Sequence, residues 1–288
     1  MAGTRATLLA RYARCAGPAP LSWRYSPRVA EQPVFRRFVA MGDSQTEGVG
    51  DPTGPGGVER GWADRFAEGL ARHQSGGDLL YANLAVRGRR IAEIEDEQSE
   101  PALAMEPDLV SLIAGLNDVI RPGCDVDAVL QRMDGMQEGL ASSGATVLTI
   151  TFPDPTRMTP IGRLVSGTMT SFNQGLRDIA ARHGSLLLDI EPIAAATDPR
   201  LWCDDRLHLN SGGHLRMAIG MAALLDPDAD ETELFDDLPP RQPPGAVLRT
   251  GSDLRWAGAY LVPWVGRRLT GRSSGDGRVA KRPGLMPV

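Results

Sequence analysis

The chain is poor in the residues that build several protein classes. Its three cysteines (Cys15, Cys124 and Cys203) are far apart, which excludes a disulfide scaffold and a cysteine-based zinc site. It has only four histidines and no His-Glu-x-x-His or Cys-x-x-Cys spacing, so no metal or other cofactor is expected. No apolar run approaches the ~18 residues a membrane span needs, so no transmembrane segment is expected. Lysine is almost absent: Lys281 stands alone among 31 basic residues. Residues 1–30 lack acidic side chains, and Arg5, Arg11 and Arg14 interrupt a five-residue apolar stretch, Ala6–Ala10. A secretory core needs ~7–15 apolar residues, so the start reads as a poorly ordered extension over 1–34 and the location as cytoplasmic.

Charge is unevenly distributed. Residues 1–37 carry seven Arg against one Glu, a net +6, and residues 241–288 carry nine basic against two acidic residues, a net +7. With −5 for the whole chain, the body between them carries −18. So acidic a body argues against a nucleic-acid partner, because phosphate contacts need basic side chains. The basic ends read as solvated tails.

Within the body, short apolar runs alternate with amphipathic stretches. Strands are expected at Phe38–Met41, Leu79–Leu84, Leu109–Ile113, Thr146–Ile150 and Leu186–Leu188. Helices are expected near 62–73, 90–99, 125–142, 166–182 and 212–225, the last capped by Asn210. Five apolar strands alternating with helices make an α/β fold with a parallel sheet covered on both faces. The domain is expected over 35–228, an acidic and proline-rich linker over 229–250, and a C-terminal docking segment with a basic tail over 251–288.

In open parallel sheets, ligand sites form beyond the carboxyl ends of the strands. Polar or glycine-rich clusters occupy those positions here: Gly42-Asp43-Ser44 after the first strand and Arg87-Gly88 after the second. Gly115-Leu116-Asn117-Asp118 follows the third, and Asp205-Arg206-Leu207-His208-Leu209-Asn210 precedes the last helix. In this order and spacing the four blocks resemble the SGNH (GDSL-type) hydrolases, over about residues 36–228. The resemblance implies a flavodoxin-like three-layer α/β/α sandwich and an acyl-enzyme mechanism on small-molecule carboxylic esters. It implies Ser44 as nucleophile, His208 as base, Asp205 as the acid that orients it, and Ser44, Gly88 and Asn117 as oxyanion donors. Gln45 departs from the family pattern, which has leucine after the serine.

Elementary chemistry points the same way. A serine hydroxyl is a weak nucleophile until a base takes its proton, and an imidazole can do so near neutral pH. An aspartate three residues earlier can reach Nδ1–H, fixing the tautomer and stabilising the imidazolium. Asp189 and Asp204 are rival acids without that spacing. Arg87 and Arg89 are candidates to meet an acidic substrate group, and Asp43 reads as structural. Gly271-Arg272-Ser273-Ser274-Gly275 imitates a nucleophile elbow, but no strand leads into it and all four histidines precede it. The fold also admits thioesterases, carbohydrate deacetylases and a non-catalytic binding module. Oligomeric state is not legible.

Trp256 and Tyr260 share one helical face, and Pro263 is expected to stop that helix before Trp264. The segment is expected to fold back on the acidic body with its basic residues in solvent, either narrowing the substrate entrance or, as the favoured reading, packing on a remote face.

Overall fold

The structure is a computed structural model, and it describes residues 34–52, 59–74, 78–225, 238, 246–270 and 272–288. The N-terminal extension, apart from Val34, and most of the expected linker lie outside the described residues. The expected strands and helices of the body all form. β1 (Arg37–Gly42), β2 (Leu80–Asn83), β3 (Leu109–Ile113), β4 (Thr146–Ile150) and β5 (Leu186–Leu188) pair in parallel in the order β5-β4-β3-β1-β2. That is the flavodoxin-like order, with its switch point between β1 and β3. Both strands are buried almost throughout, and apolar apart from Arg37 and Ser111, because helices cover both faces of the sheet. Helix α1 (Gly61–His73) packs on α5 (Ser211–Ala223), while α2 (Ile91–Ala104), α3 (Val126–Ser142) and α4 (Ser166–His183) pack in series as a second layer.

The scarce aromatic residues are concentrated where the first layer meets the sheet. Phe38 of β1 stacks on Tyr81 at 5.2 Å and meets Phe66 of α1 edge-on at 5.1 Å. Trp62 is fully buried beside them.

Two expectations need correction. The sheet has six strands, because β6 (Arg282–Pro287) adds antiparallel to β2. Its sequence, Arg-Pro-Gly-Leu-Met-Pro, has no apolar alternation to mark it as a strand. Proline is tolerated there because an edge strand need not donate on its outer side. Nor does Pro263 end the helical run. Helix α6 (Ala246–Trp256) widens into a π-helical turn at Ala257–Leu261, and α7 (Val262–Leu269) continues through the proline. Pro263 has no amide hydrogen to add to this ladder, and the run adjusts in the π-helical turn just ahead of it, where the Val262 N–H reaches back to the Ala257 carbonyl.

α5 is tied to α1 by a histidine. His214 is fully buried, its Nδ1 accepting from the Trp62 N–H at 3.1 Å and its Nε2–H donating to the Val49 carbonyl at 3.1 Å. The Trp62 N–H requires an unprotonated Nδ1 and so the neutral ring, and the Val49 carbonyl places its one proton on Nε2. Burial pushes its pKa down to about 4, against the opposing pull of the Val49 carbonyl and the Asp51 charge. A ring whose folded pKa is depressed stabilises the fold fully above its unfolded value of 6.5, and the contribution fades as pH falls toward 4. The stability advantage of wild type over His214→Gln should therefore shrink by about 2 kcal/mol between about pH 7 and pH 5, at ~1.4 kcal/mol per unit. Urea denaturation of both proteins at the two pH values measures this. An unchanged difference would mean that the ring is not held neutral.

Candidate active site

Ser44 owes its position to the way β1 ends. Gly42 has φ +147°, and a Cβ there would collide with the Ile113 carbonyl of β3. The chain turns at once into a short helical turn, Ser44–Glu47, whose N-cap Asp43 accepts from the Gln45 N–H at 3.3 Å. Gly88 follows β2 at φ +78°, with the turn at Ser273–Gly275 packed against its Cα. Asn117 follows β3 in a second short turn, Leu116–Val119. The loop before α5 is closed like a hairpin by the Cys203 N–H on the His208 carbonyl at 2.8 Å and by a bridge from Trp202 to Leu209. These loops converge on one cavity of about 510 Å³, lined by Ser44, Gly88, Asn117, Asp205 and His208. All five sequence-derived site residues are thus brought together.

Within that cavity Asp205 and His208 form a hydrogen-bonded pair, Nδ1 to Oδ2 at 2.6 Å. The other carboxylate oxygen accepts the backbone N–H groups of Leu207 and His208, each at 3.0 Å. Burial alone would raise the Asp205 carboxyl, but His208 and the two backbone donors outweigh it and hold it below the usual carboxylate range. Asp205 is therefore the charged, oriented partner of the imidazole. Asp43 is the opposite case. It is buried beneath the serine turn, and desolvation raises it to about 6 despite the Gln45 N–H, the nearby His208 and the Asn117 amide. Asn117 Nδ2 donates to Asp43 Oδ2 at 2.9 Å and to the Arg89 carbonyl at 3.1 Å. Both of its amide hydrogens are engaged, so any further acceptor must share or displace one of them.

A family model described as "GDSL-like Lipase/Acylhydrolase family" matches residues 40–216. The chain belongs to this family. It is accordingly a hydrolase of ester bonds. No curated protein matches the chain. Among solved structures it is similar to LAE5, an alpha/beta hydrolase enzyme from the metagenome of Lake Arreo, Spain, with 21% identity and a TM-score of 0.53 over 66% of this chain and 96% of that one. A W190I mutant of Axe2, an acetyl-xylooligosaccharide esterase from Geobacillus Stearmophilus, matches with 18% identity and a TM-score of 0.56 over 66% and 94%. TesA matches with 19% identity and a TM-score of 0.55 over 67% and 99%. At these identities the likeness is one of fold.

For this GDSL-like chain, residue 45 carries more than its sequence suggested. Where the family pattern has leucine, Gln45 Nε2 donates to the Leu207 carbonyl at 2.6 Å and its Oε1 accepts from the Leu209 N–H at 3.4 Å. One side chain therefore grips the backbone on both sides of His208 and joins it to the turn that carries Ser44. Nothing in the sequence marked this, since the two partners are more than 160 residues apart.

Other candidates are spent elsewhere. Arg87 is paired with Glu47 (2.6 Å) and Glu59, and Arg89 with Glu97 (2.9 Å) and Glu93 (3.4 Å), so these carboxylates rather than a substrate group hold them. Asp189 is held by Arg177 and Thr151, and Asp204 is exposed. Ser273 lies in a turn rather than after a strand, and its hydroxyl donates to the Gly88 carbonyl at 3.3 Å.

The C-terminal segment is the main correction. It does fold back on the body, but at the cavity rather than on a remote face: Trp256, Tyr260, Trp264 and Ser273 all line it. Arg255, Arg267, Arg272 and Arg278 are exposed as expected, whereas Lys281 is drawn in by Asp64 and the Glu59 and Arg60 carbonyls.

Gln45→Leu, which restores the family residue, should leave the Leu207 and Leu209 backbone groups unpaired. A loss of about 1–3 kcal/mol in stability is expected, together with a roughly tenfold lower kcat at nearly constant KM. Thermal melts and steady-state kinetics measure both. A rise in KM alone would place Gln45 in substrate binding instead.

Proposed function

We propose that the protein cleaves carboxylic esters through an acyl-enzyme, with Ser44 as nucleophile, His208 as base and Asp205 as the acid that orients it. The observation that carries this reading is the 2.6 Å bond between Asp205 and His208 Nδ1, in a cavity that Ser44 also lines. With Nδ1–H committed to the carboxylate, Nε2 is the ring's base. It takes the Ser44 proton as Oγ bonds to the ester carbonyl carbon, and the imidazolium so formed faces an ionised Asp205. Collapse of the tetrahedral intermediate breaks the bond to the alcohol oxygen, which leaves with the proton from Nε2. Water then repeats the sequence, with its proton passing to Nε2, and releases the acid and Ser44.

Charge on the carbonyl oxygen is met in this scheme by the backbone N–H groups of Ser44 and Gly88 and by the Asn117 amide. Because Asn117 already donates to Asp43, its role depends on that carboxyl. A carboxylate that accepts from Asn117 fixes the amide in place, with its nitrogen turned toward the serine turn. The chain supplies nucleophile, base and oxyanion donors itself, so the scheme calls for no metal or cofactor.

The decisive experiment is labelling of the purified protein with a fluorophosphonate, followed by peptide mapping. The adduct is expected on Ser44. Ser44→Ala should remain folded, lose the label and lower kcat by up to ~10⁶, the scale for loss of a serine nucleophile. Retention of a tenth of wild-type turnover would remove Ser44 from this role.

Asn117→Ala should lower kcat by ~10²–10³ with little change in KM, because an oxyanion donor acts mainly in the transition state. Steady-state kinetics on one ester separates the outcomes. A variant that raises only KM would assign Asn117 to ground-state binding.

A further inference from the structure

The cavity is far larger than the catalytic groups require, and its two ends differ in chemistry. Ser44, Asn117, Asp205 and His208 form a polar end. Beyond them the body contributes Ile150, Phe152, Met158, Met169, Ile190 and Met217, and the C-terminal segment contributes Trp256, Tyr260, Leu261, Trp264 and Val265. Among the described residues the charged lining other than Asp205 and His208 is arginine. Arg206 is engaged by Asp253 at 2.7 Å and Ser252 at 3.0 Å, and Arg267 and Arg272 are exposed.

We infer that this cavity binds a long aliphatic acyl chain, and that the C-terminal segment, which lies beyond the family match ending at residue 216, roofs it and sets the chain-length preference. The inference rests on the ester-hydrolase reading and adds the substrate class. A sugar presents a hydroxyl on most of its carbons, and each would lose water without a partner against these walls. An aliphatic chain has nothing to satisfy, and each methylene it buries is worth roughly fourfold in affinity.

The roof is fastened on both sides of the cavity. At one side Trp256 Nε1 donates to the Asp205 carbonyl at 2.8 Å, and the Arg206 guanidinium lies 5.4 Å from the Trp256 ring centre. Arg206 itself holds a left-handed backbone, φ +57°, in the loop between Asp205 and His208. At the other side Ser273 bonds the Gly88 carbonyl, Lys281 reaches Asp64 at 2.8 Å, and β6 pairs with β2. The segment therefore spans the cavity as a fixed wall. Its entrance is apolar too. Ile161 and Leu164 from the loop after β4, with Tyr260 and Val265 from the roof, line the cavity and are also exposed.

The test uses the full-length protein and p-nitrophenyl esters from acetate to dodecanoate. Wild-type kcat/KM is expected to be at least tenfold higher for the dodecanoate than for the acetate. Trp264→Ala combined with Tyr260→Ala should lower that ratio about tenfold, through a larger loss with the dodecanoate than with the acetate. Trp264→Phe should restore much of the ratio, and Leu254→Ala, an exposed residue away from the lining, should leave it unchanged. Binding of dodecanoate to Ser44→Ala, measured by calorimetry with and without the roof substitutions, reads the pocket without catalysis. Acetate preference in the wild type, or a ratio and binding heat indifferent to the roof substitutions in folded protein, would overturn the inference. Roof-dependent binding without cleavage of any ester would uphold the pocket and overturn the hydrolase reading instead.

Discussion

The active site depends on how the central strand is brought to a stop. At the end of β1, Gly42 has its N–H and its carbonyl both engaged by the Gln98 amide, at 2.9 Å each, in a fully enclosed setting. A side chain on α2 thus takes the place of β2, which has ended at Asn83, while β1 is still paired with β3 at Ile113. The fit works because residue 42 has no Cβ to meet the Ile113 carbonyl. Left without a partner, those two buried backbone groups would each cost about 1–3 kcal/mol. With them satisfied, the chain leaves the sheet in one direction, Asp43 is driven beneath the turn, and Ser44 is delivered to the cavity.

A small set of long-range polar contacts then fixes the remaining loops to that turn. Gln45 holds the backbone around His208, and Asn83 holds the same turn by donating to the Thr46 carbonyl at 2.8 Å. Asp51 and Arg65, almost wholly buried and doubly bonded at 2.8 and 2.9 Å, anchor the chain as it runs on toward α1. A buried ion pair of this kind adds little net stability over an apolar pair, but losing one partner is expensive. Its effect is to hold one arrangement of the loop. Two carboxyls with opposed titration both feel His208 as a result: Asp205 is held below the usual carboxylate range, while Asp43, beneath the serine turn, is pushed up by burial to about 6.

The rare residues of this chain are placed where they count. Its single lysine fastens the C-terminal segment, with Nζ on the Asp64 carboxylate of α1 and on the Glu59 and Arg60 carbonyls just ahead of that helix. Trp256 and Trp264, two of five tryptophans, lie on the cavity, whereas the sequence-based reading favoured a remote face over the substrate entrance. That reading had only charge and local helical spacing to go on. Neither says which face of an acidic body a helix will cover.

The sequence by itself determined the parallel sheet, because strands buried on both faces must be continuous apolar runs and their period is local. It also marked the candidate residues that the structure gathers at one cavity, since Ser44, Gly88, Asn117 and the Asp205–His208 spacing lie in short blocks at strand ends or before a capped helix. Pairing between Asp205 and His208 was legible for the same reason: three residues is the reach of one turn. What only the tertiary structure decided are contacts between residues far apart in the chain. Gln45 grips a loop more than 160 residues away, β6 joins the sheet without an alternating pattern, and the segment after residue 245 becomes a wall of the cavity. None of these leaves a local signal, because each is settled by shape and by unpaired backbone groups that exist only once the sheet and its loops have assembled.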